Sequence, residues 1–195
     1  MIAITSRRPL GEHPEYDSNQ ANAALTWQTA FERVQSFDEP FPTIKTLMEY
    51  AAQQPGWSCL INADICVPMS MRAIERRLDQ QHALCAASWR FNFTPPYRGN
   101  ATMTDLGLDF FAAKPEVWKA ASERIPGFFR IGHNLWDTWL LAFFRRHYLP
   151  HFWDLSPCRV ILHPVHGGRR QIYEIPQHQI VFDGPALMPP NKIKL

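Results

Sequence analysis

Residues 57–61, Trp57-Ser58-Cys59-Leu60-Ile61, form a short apolar run that passes directly into Asn62-Ala63-Asp64-Ile65. The run lacks the apolar–polar alternation of a strand with one wet face, so it reads as a strand covered on both sides, as in a parallel sheet. A sheet of that kind needs helices over both faces, and parallel neighbours need long crossovers, so the flanking chain must alternate strand and helix.

The flanking chain can be read that way. Residues 1–5 read as a first strand, closed by the polar turn Thr5-Ser6-Arg7-Arg8-Pro9. Residues 18–34 read as an amphipathic helix with Ser18 or Asp17 as N-cap and Ala21, Leu25, Trp27, Ala30, Phe31 and Val34 inward. Gln35-Ser36-Phe37 follows as a strand, broken by Asp38-Glu39-Pro40. Thr43 caps a helix over 43–53 with Ile44, Leu47, Met48 and Ala51 inward, and Pro55-Gly56 ends it. Beyond Asp64 the pattern predicts a helix over 69–82, a strand over 83–89, a mobile polar loop over 92–104 and a strand over 106–113. A helix over 115–123, a connector over 127–132, an apolar helix over 134–148 and a strand over 159–163 complete the series, with 172–175 as a further candidate strand. The expectation is one small α/β domain over 1–175, with a mostly parallel central sheet flanked by helices, and an irregular tail over 176–195. In such sheets ligands bind outside the carboxyl ends of the strands, where Ser6 and Asp64 both stand.

Composition narrows the class of function. A chain with 46% hydrophobic and 13% aromatic residues is not a disordered one. The net charge of +2, without a run of Lys or Arg, gives nucleic acid binding no support, although a nucleic acid base stays open as an acceptor. Cys59, Cys66, Cys85 and Cys158 show no CxxC spacing and read as reduced thiols, which suggests a cytoplasmic location. No apolar stretch approaches the roughly 20 residues of a membrane span.

Several polar residues stand where chemistry is done. Asp64, directly after an apolar strand, offers a rigid carboxylate to a hard divalent cation, and Asn62 points to the same side of the extended chain. Those two residues can equally build the bend that leads into the next helix. Asp109, in Gly107-Leu108-Asp109-Phe110-Phe111, is costly inside an apolar strand unless paired or placed at a cleft, the alternative being a wet edge strand. Gly107 admits close approach of a ligand to the backbone. Asp137 follows Asn134 by three residues, which resembles a capping box and also places an acid where it could deprotonate a hydroxyl. His163 and His166 end a strand as candidate metal ligands. Arg169 and Arg170 follow Gly167-Gly168 as a cationic loop suited to a diphosphate, or as a solvated turn.

Taken in order, Asn62-Ala63-Asp64-Ile65, Gly107-Leu108-Asp109-Phe110-Phe111, Ile131-Gly132-His133-Asn134-Leu135-Trp136-Asp137-Thr138-Trp139 and Ile161-Leu162-His163-Pro164-Val165-His166 resemble the GT-A-fold glycosyltransferases. The resemblance spans roughly residues 2 to 170 and is closest to a branch reading N-S-D-I, G-x-D-x-F, I-G-x-x-x-W-D-x-W and x-H-x-x-H in succession. It implies a GT-A-like, Rossmann-like fold and transfer of a sugar from a nucleoside-diphosphate sugar to an acceptor that the sequence does not name. It also implies a divalent metal, Mn²⁺ or Mg²⁺, held by Asp64 with His163 or His166. Asp137 would be the catalytic base and Asp109 the strand acid that touches donor sugar or acceptor. Thr5, Ser6, Arg7, Ser36 and Asp38 would line the nucleotide, with Arg169 and Arg170 on its diphosphate. Asn62 stands where the first metal acid is often found. That departure lowers the negative charge of the site, and the short segment between Ser36 and Thr43 leaves little room for a further strand. The alternative is a catalytically inactive nucleotide-sugar-binding or scaffolding module of the same fold. A nucleotidyltransferase is disfavoured, because Thr5 to Pro9 contains neither Gly nor Lys.

Overall fold

The computed structural model describes residues 1–7, 11, 14–37, 42–94, 101–131, 135–165 and 191–192. Its strands are β1 (Ile2–Ser6), β2 (Arg33–Phe37), β3 (Ser58–Ile61), β4 (Cys85–Phe93), β5 (Thr102–Ala113), β6 (Phe152–Asp154), β7 (Leu162–Pro164) and β8 (Asn191–Lys192). Its α-helices are α1 (Pro14–Ala30), α2 (Ile44–Ala51), α3 (Met71–Gln80), α4 (Pro115–Ser122) and α5 (Trp136–Tyr148). The strands form one sheet in the order β2-β1-β3-β5-β4-β6-β8, with β7 also on β4. Strand β5 is antiparallel to β3 and β4, and the remaining pairings are parallel. This is the α/β, mostly parallel architecture expected from the alternation of elements.

Apolar side chains alternate between the two sheet faces and build two cores. Ala3, Cys59, Ile61, Phe110 and Ala112 face α1 and α3, which contribute Trp27, Met71, Ile74 and Leu78. Ile2, Ile4, Leu60, Phe111 and Ala113 face α2, α4 and α5, which contribute Leu47, Trp118, Leu140 and Phe144. Burying each such Leu, Ile or Phe stabilises by roughly 1.5–3 kcal/mol.

Helix α2 has the residues expected of it: Thr43 accepts from the Thr46 amide as N-cap, and Ile44, Leu47, Met48 and Ala51 are buried. Helix α1 does not. It begins at Pro14 and buries Asn19, Gln20, Ala23, Trp27 and Ala30, while Leu25 is 63% exposed. Trp27, whose indole N–H bonds the Ile65 carbonyl at 2.7 Å, faces inward together with Ala23 one turn back and the polar Asn19 and Gln20 two turns back. Val34 belongs to β2.

The loop expected over 92–104 is strand at both ends, over 92–93 and 102–104. Asn92 pairs with Thr102 and Phe91 with Met103, while residues 95–100 lie outside the described residues. The strand expected over 159–163 is shorter, because Ser156–Cys158 make a 3₁₀ turn and Arg159 is left-handed, with φ +49°. Within the tail, Asn191 and Lys192 extend the sheet beside β6. Residues 172–175 lie outside the described residues.

Candidate functional site

The carboxyl ends of β1, β3, β4 and β7 share one rim, and most of the candidate residues gather there. One backbone pair and two side-chain-to-backbone bonds bring together segments distant in sequence. Cys66 and Leu162 exchange both N–H···O=C bonds at 2.8 Å, pinning the loop after β3 to the start of β7. Thr26 accepts the Val67 amide at 3.0 Å, and Trp27 holds Ile65, so α1 clamps the same loop from the other side. As a result, His163 Nε2 lies 3.4 Å from Asp64 Oδ2, with the two side chains 10% and 19% exposed. Behind the ring, His163 Nδ1 is 3.0 Å from Asn92 Oδ1.

Asp109 lies beside this pair at an irregularity in β5. Phe110 pairs with Ser88 and Leu108 with Trp89, so Asp109 is an extra residue, and such bulges redirect side chains next to functional sites. Both of its carboxylate oxygens are held: Oδ1 accepts from Asn62 Nδ2 at 2.5 Å and Oδ2 pairs with Arg90 Nη1 at 3.1 Å. Burial pushes the Asp109 carboxyl above the usual carboxylate range; Arg90 opposes the shift, Asp64 and Asp137 add to it, and His163 reduces it. The close approach anticipated at Gly107 exists, but Arg90 makes it: a Cβ there would stand 2.9 Å from the guanidinium carbon.

Asp137 reaches the group from α5. Its Oδ1 accepts from the Thr138 amide at 2.8 Å, and it also bonds the backbone of Leu108, next to Asp109. Burial raises its pKa, against those hydrogen bonds. The expected capping box is not the arrangement found. Leu135 occupies the N-cap with φ +77° and offers no side-chain cap, and Asp137 is the second residue of the helix. A leucine in that backbone region is strained, and such strain clusters at functional sites. Asn134 lies outside the described residues.

On the opposite side of the rim, Thr5 is fully buried and donates to the Ile61 carbonyl at 2.7 Å, so its hydroxyl ties β1 to β3 instead of lining a pocket. Ser6 is buried and Arg7 exposed. Ser36, in register with Thr5, has a buried hydroxyl with no hydrogen-bond partner. Asp38, His166, Arg169 and Arg170 lie outside the described residues. Arg90 and Asn92 were not anticipated. Their signal was the alternation Arg90-Phe91-Asn92-Phe93, in which polar residues two apart share one face of a strand.

The arrangement holds three carboxylates (Asp64, Asp109 and Asp137) against one guanidinium and one imidazole. Among the described residues, no three His, Cys, Asp or Glu side chains form a metal-binding group. The donors present nevertheless suit a divalent cation: a carboxylate and an imidazole nitrogen lie side by side, and Asn62 Oδ1 is a buried oxygen with no hydrogen-bond partner.

No family model matches the chain, and no curated protein does. Among solved structures, it is similar to a Bacillus anthracis protein described as a glucose-1-phosphate thymidylyltransferase, in complex with a sucrose. That likeness has 12% identity and a TM-score of 0.39, and covers 80% of this chain and 67% of the other. A glycosyltransferase involved in glycosylation of the major capsid of PBCV-1 aligns at 13% identity and TM-score 0.44, over 83% of this chain and 92% of its own. A protein from STIV aligns at 13% identity and TM-score 0.40, over 91% and 98%. At such values shared architecture carries no activity across, and function has to be argued from the site.

Proposed function

We propose that the chain is a metal-dependent glycosyltransferase that takes its sugar from a nucleoside-diphosphate sugar. The observation that carries the reading is the meeting of Asp64 and His163 on the ligand-binding rim of the sheet, with Asp109 and Asp137 alongside. Three acids around one arginine repel a diphosphate, so an anionic donor needs a cation between itself and the protein. Asp64 and His163 would hold that cation, with Asn62 as a neutral oxygen ligand. Bound there, Mn²⁺ or Mg²⁺ supplies positive charge for the diphosphate as it leaves the sugar.

The remaining roles follow from how each side chain is held. Asp109, engaged on both oxygens, is an oriented acceptor for a sugar hydroxyl rather than a base. Asp137, its pKa raised by burial, takes the proton of the acceptor hydroxyl. Arg90 keeps Asp109 in place and offsets the acidic cluster. Ser6, Arg7, Ser36 and Asp38 would contact the nucleoside, and Arg169 and Arg170 the diphosphate. The test is release of nucleoside diphosphate from UDP-, GDP- and ADP-sugars with Mn²⁺, read without knowledge of the acceptor. Turnover with one donor that disappears in Asp137→Asn supports the reading; tight binding of a donor without turnover points to the inactive module; binding of none ends both.

A further inference from the structure

We propose that Asn92 is a positioning residue that fixes the neutral tautomer of His163, with the proton on Nδ1 and the lone pair of Nε2 turned toward Asp64. The two residues are direct neighbours across the β4–β7 pairing, and Asn92 Oδ1 stands 3.0 Å from His163 Nδ1. An amide oxygen can only accept, so the ring nitrogen facing it donates. The other ring nitrogen then presents a lone pair to Asp64 Oδ2, 3.4 Å away. Two acceptors face each other, and either a proton or a metal cation between them reconciles the pair.

The opposite tautomer would have a different consequence. With its proton on Nε2, His163 would donate directly to Asp64, and the imidazole lone pair would point away from the rim. Asn92 therefore turns the Nε2 lone pair toward the Asp64 carboxylate, the orientation that a shared cation requires. Metal-binding histidines commonly donate their second N–H to an acceptor of this kind, which orients the ring and raises its basicity. Asparagine is a poor strand former, yet Asn92 lies inside β4 with β5 and β7 on either side, and a broken local rule of this sort is expected where a site requires it. The consequence for metal rests on the cation reading above; the tautomer assignment does not.

Long-range ¹H–¹⁵N spectra of the metal-free protein, at a pH where its imidazoles are neutral, read the tautomer directly. The His163 signals are assigned by their loss in His163→Gln. The wild type is expected to show a protonated Nδ1 and an unprotonated Nε2. Asn92→Leu should move the proton to Nε2 and weaken Mn²⁺ binding in calorimetry about 10- to 100-fold. Asn92→Asp keeps an acceptor oxygen and should keep the wild-type pattern. An Nε2-protonated wild type, or an unchanged pattern in Asn92→Leu, overturns the proposal. If Asn92→Leu does not fold, the wild-type and Asn92→Asp spectra decide. The expected tautomer in a wild type that binds no Mn²⁺ sinks the cation reading and leaves the tautomer assignment standing.

Discussion

Replacing Gly107 with alanine should destabilise the protein by way of Arg90. An added Cβ would lie 2.9 Å from Cζ and Nε of Arg90 and 3.2 Å from Nη1, and Gly107 has φ +151°, where a side chain is strained. Backbone strain of that sort costs about 1–3 kcal/mol. The guanidinium must also shift from Asp109, which is 7% exposed; losing one partner of a buried ion pair outright costs about 3–5 kcal/mol, and a displaced arginine forfeits part of that. A net loss of about 3 kcal/mol follows, or a fall in Tm of about 6–12 °C for a chain of this size. Calorimetric or circular-dichroism melting measures it, with Gly127→Ala as the control: a Cβ at Gly127 meets nothing within 4 Å, and its effect should stay within about 0.5 kcal/mol. In the double variant Gly107→Ala/Arg90→Ala the clash is gone, so the two losses should add to less than their sum. A Gly107→Ala protein that melts with the wild type, or strict additivity in the double variant, would show that Arg90 does not crowd this position.

Other predictions concern charge and catalysis. Asp109 and Asp137 have folded-state pKa values raised by burial, so their contribution to stability is complete below the unfolded pKa of about 4 and is lost as pH rises through their folded values. Asp109→Asn should flatten that decline in urea titrations run across pH; an unchanged slope would contradict the burial argument. Asp79 behaves in the opposite sense. Burial pushes it up, but hydrogen bonds from Trp57 and Lys114 prevail and hold it below its usual value, so its contribution is present near neutrality and lost on acidification. Asp79→Asn should therefore lower Tm at pH 7 and leave it unchanged near pH 2. Ser58 is fully buried with an unpartnered hydroxyl, and Ser58→Ala should stabilise by about 1 kcal/mol in urea unfolding, a loss of stability being the contrary result. Asp137→Asn should lower sugar-transfer kcat about 10²- to 10⁴-fold with little change in donor affinity, and an equal rate would remove Asp137 as the base.

The architecture was legible because apolar runs of strand length alternate with helix-length segments, and α2 was read residue by residue because its cap and apolar spacing coincide. In helix α1 Trp27 and Ala30 were placed correctly, but Ala21 and Leu25 were not, because the face that Trp27 turns to the loop carrying Asp64 continues through Ala23 to the polar Asn19 and Gln20. The antiparallel course of β5 leaves no trace in composition, since a buried strand reads the same in either direction. Of the site, the acids were visible as polar residues ending apolar runs. Arg90 and Asn92 were hidden for the opposite reason: their polarity made the end of β4 resemble a loop, when it is the site that requires polar residues there. The meeting of Asp64 with His163 depends on the Cys66–Leu162 backbone bridge, which no local pattern encodes.

Under the proposed function, Asp64 and His163 hold a cation that in turn holds a diphosphate. Electron paramagnetic resonance of Mn²⁺ titrated with the protein, with and without UDP, tests it directly. The free-ion signal should be lost on adding wild-type protein, more completely with UDP, and Asp64→Ala and His163→Ala should leave it in place. A wild type that takes up no Mn²⁺ even with the diphosphate present, or variants that take it up as well as the wild type, would contradict it.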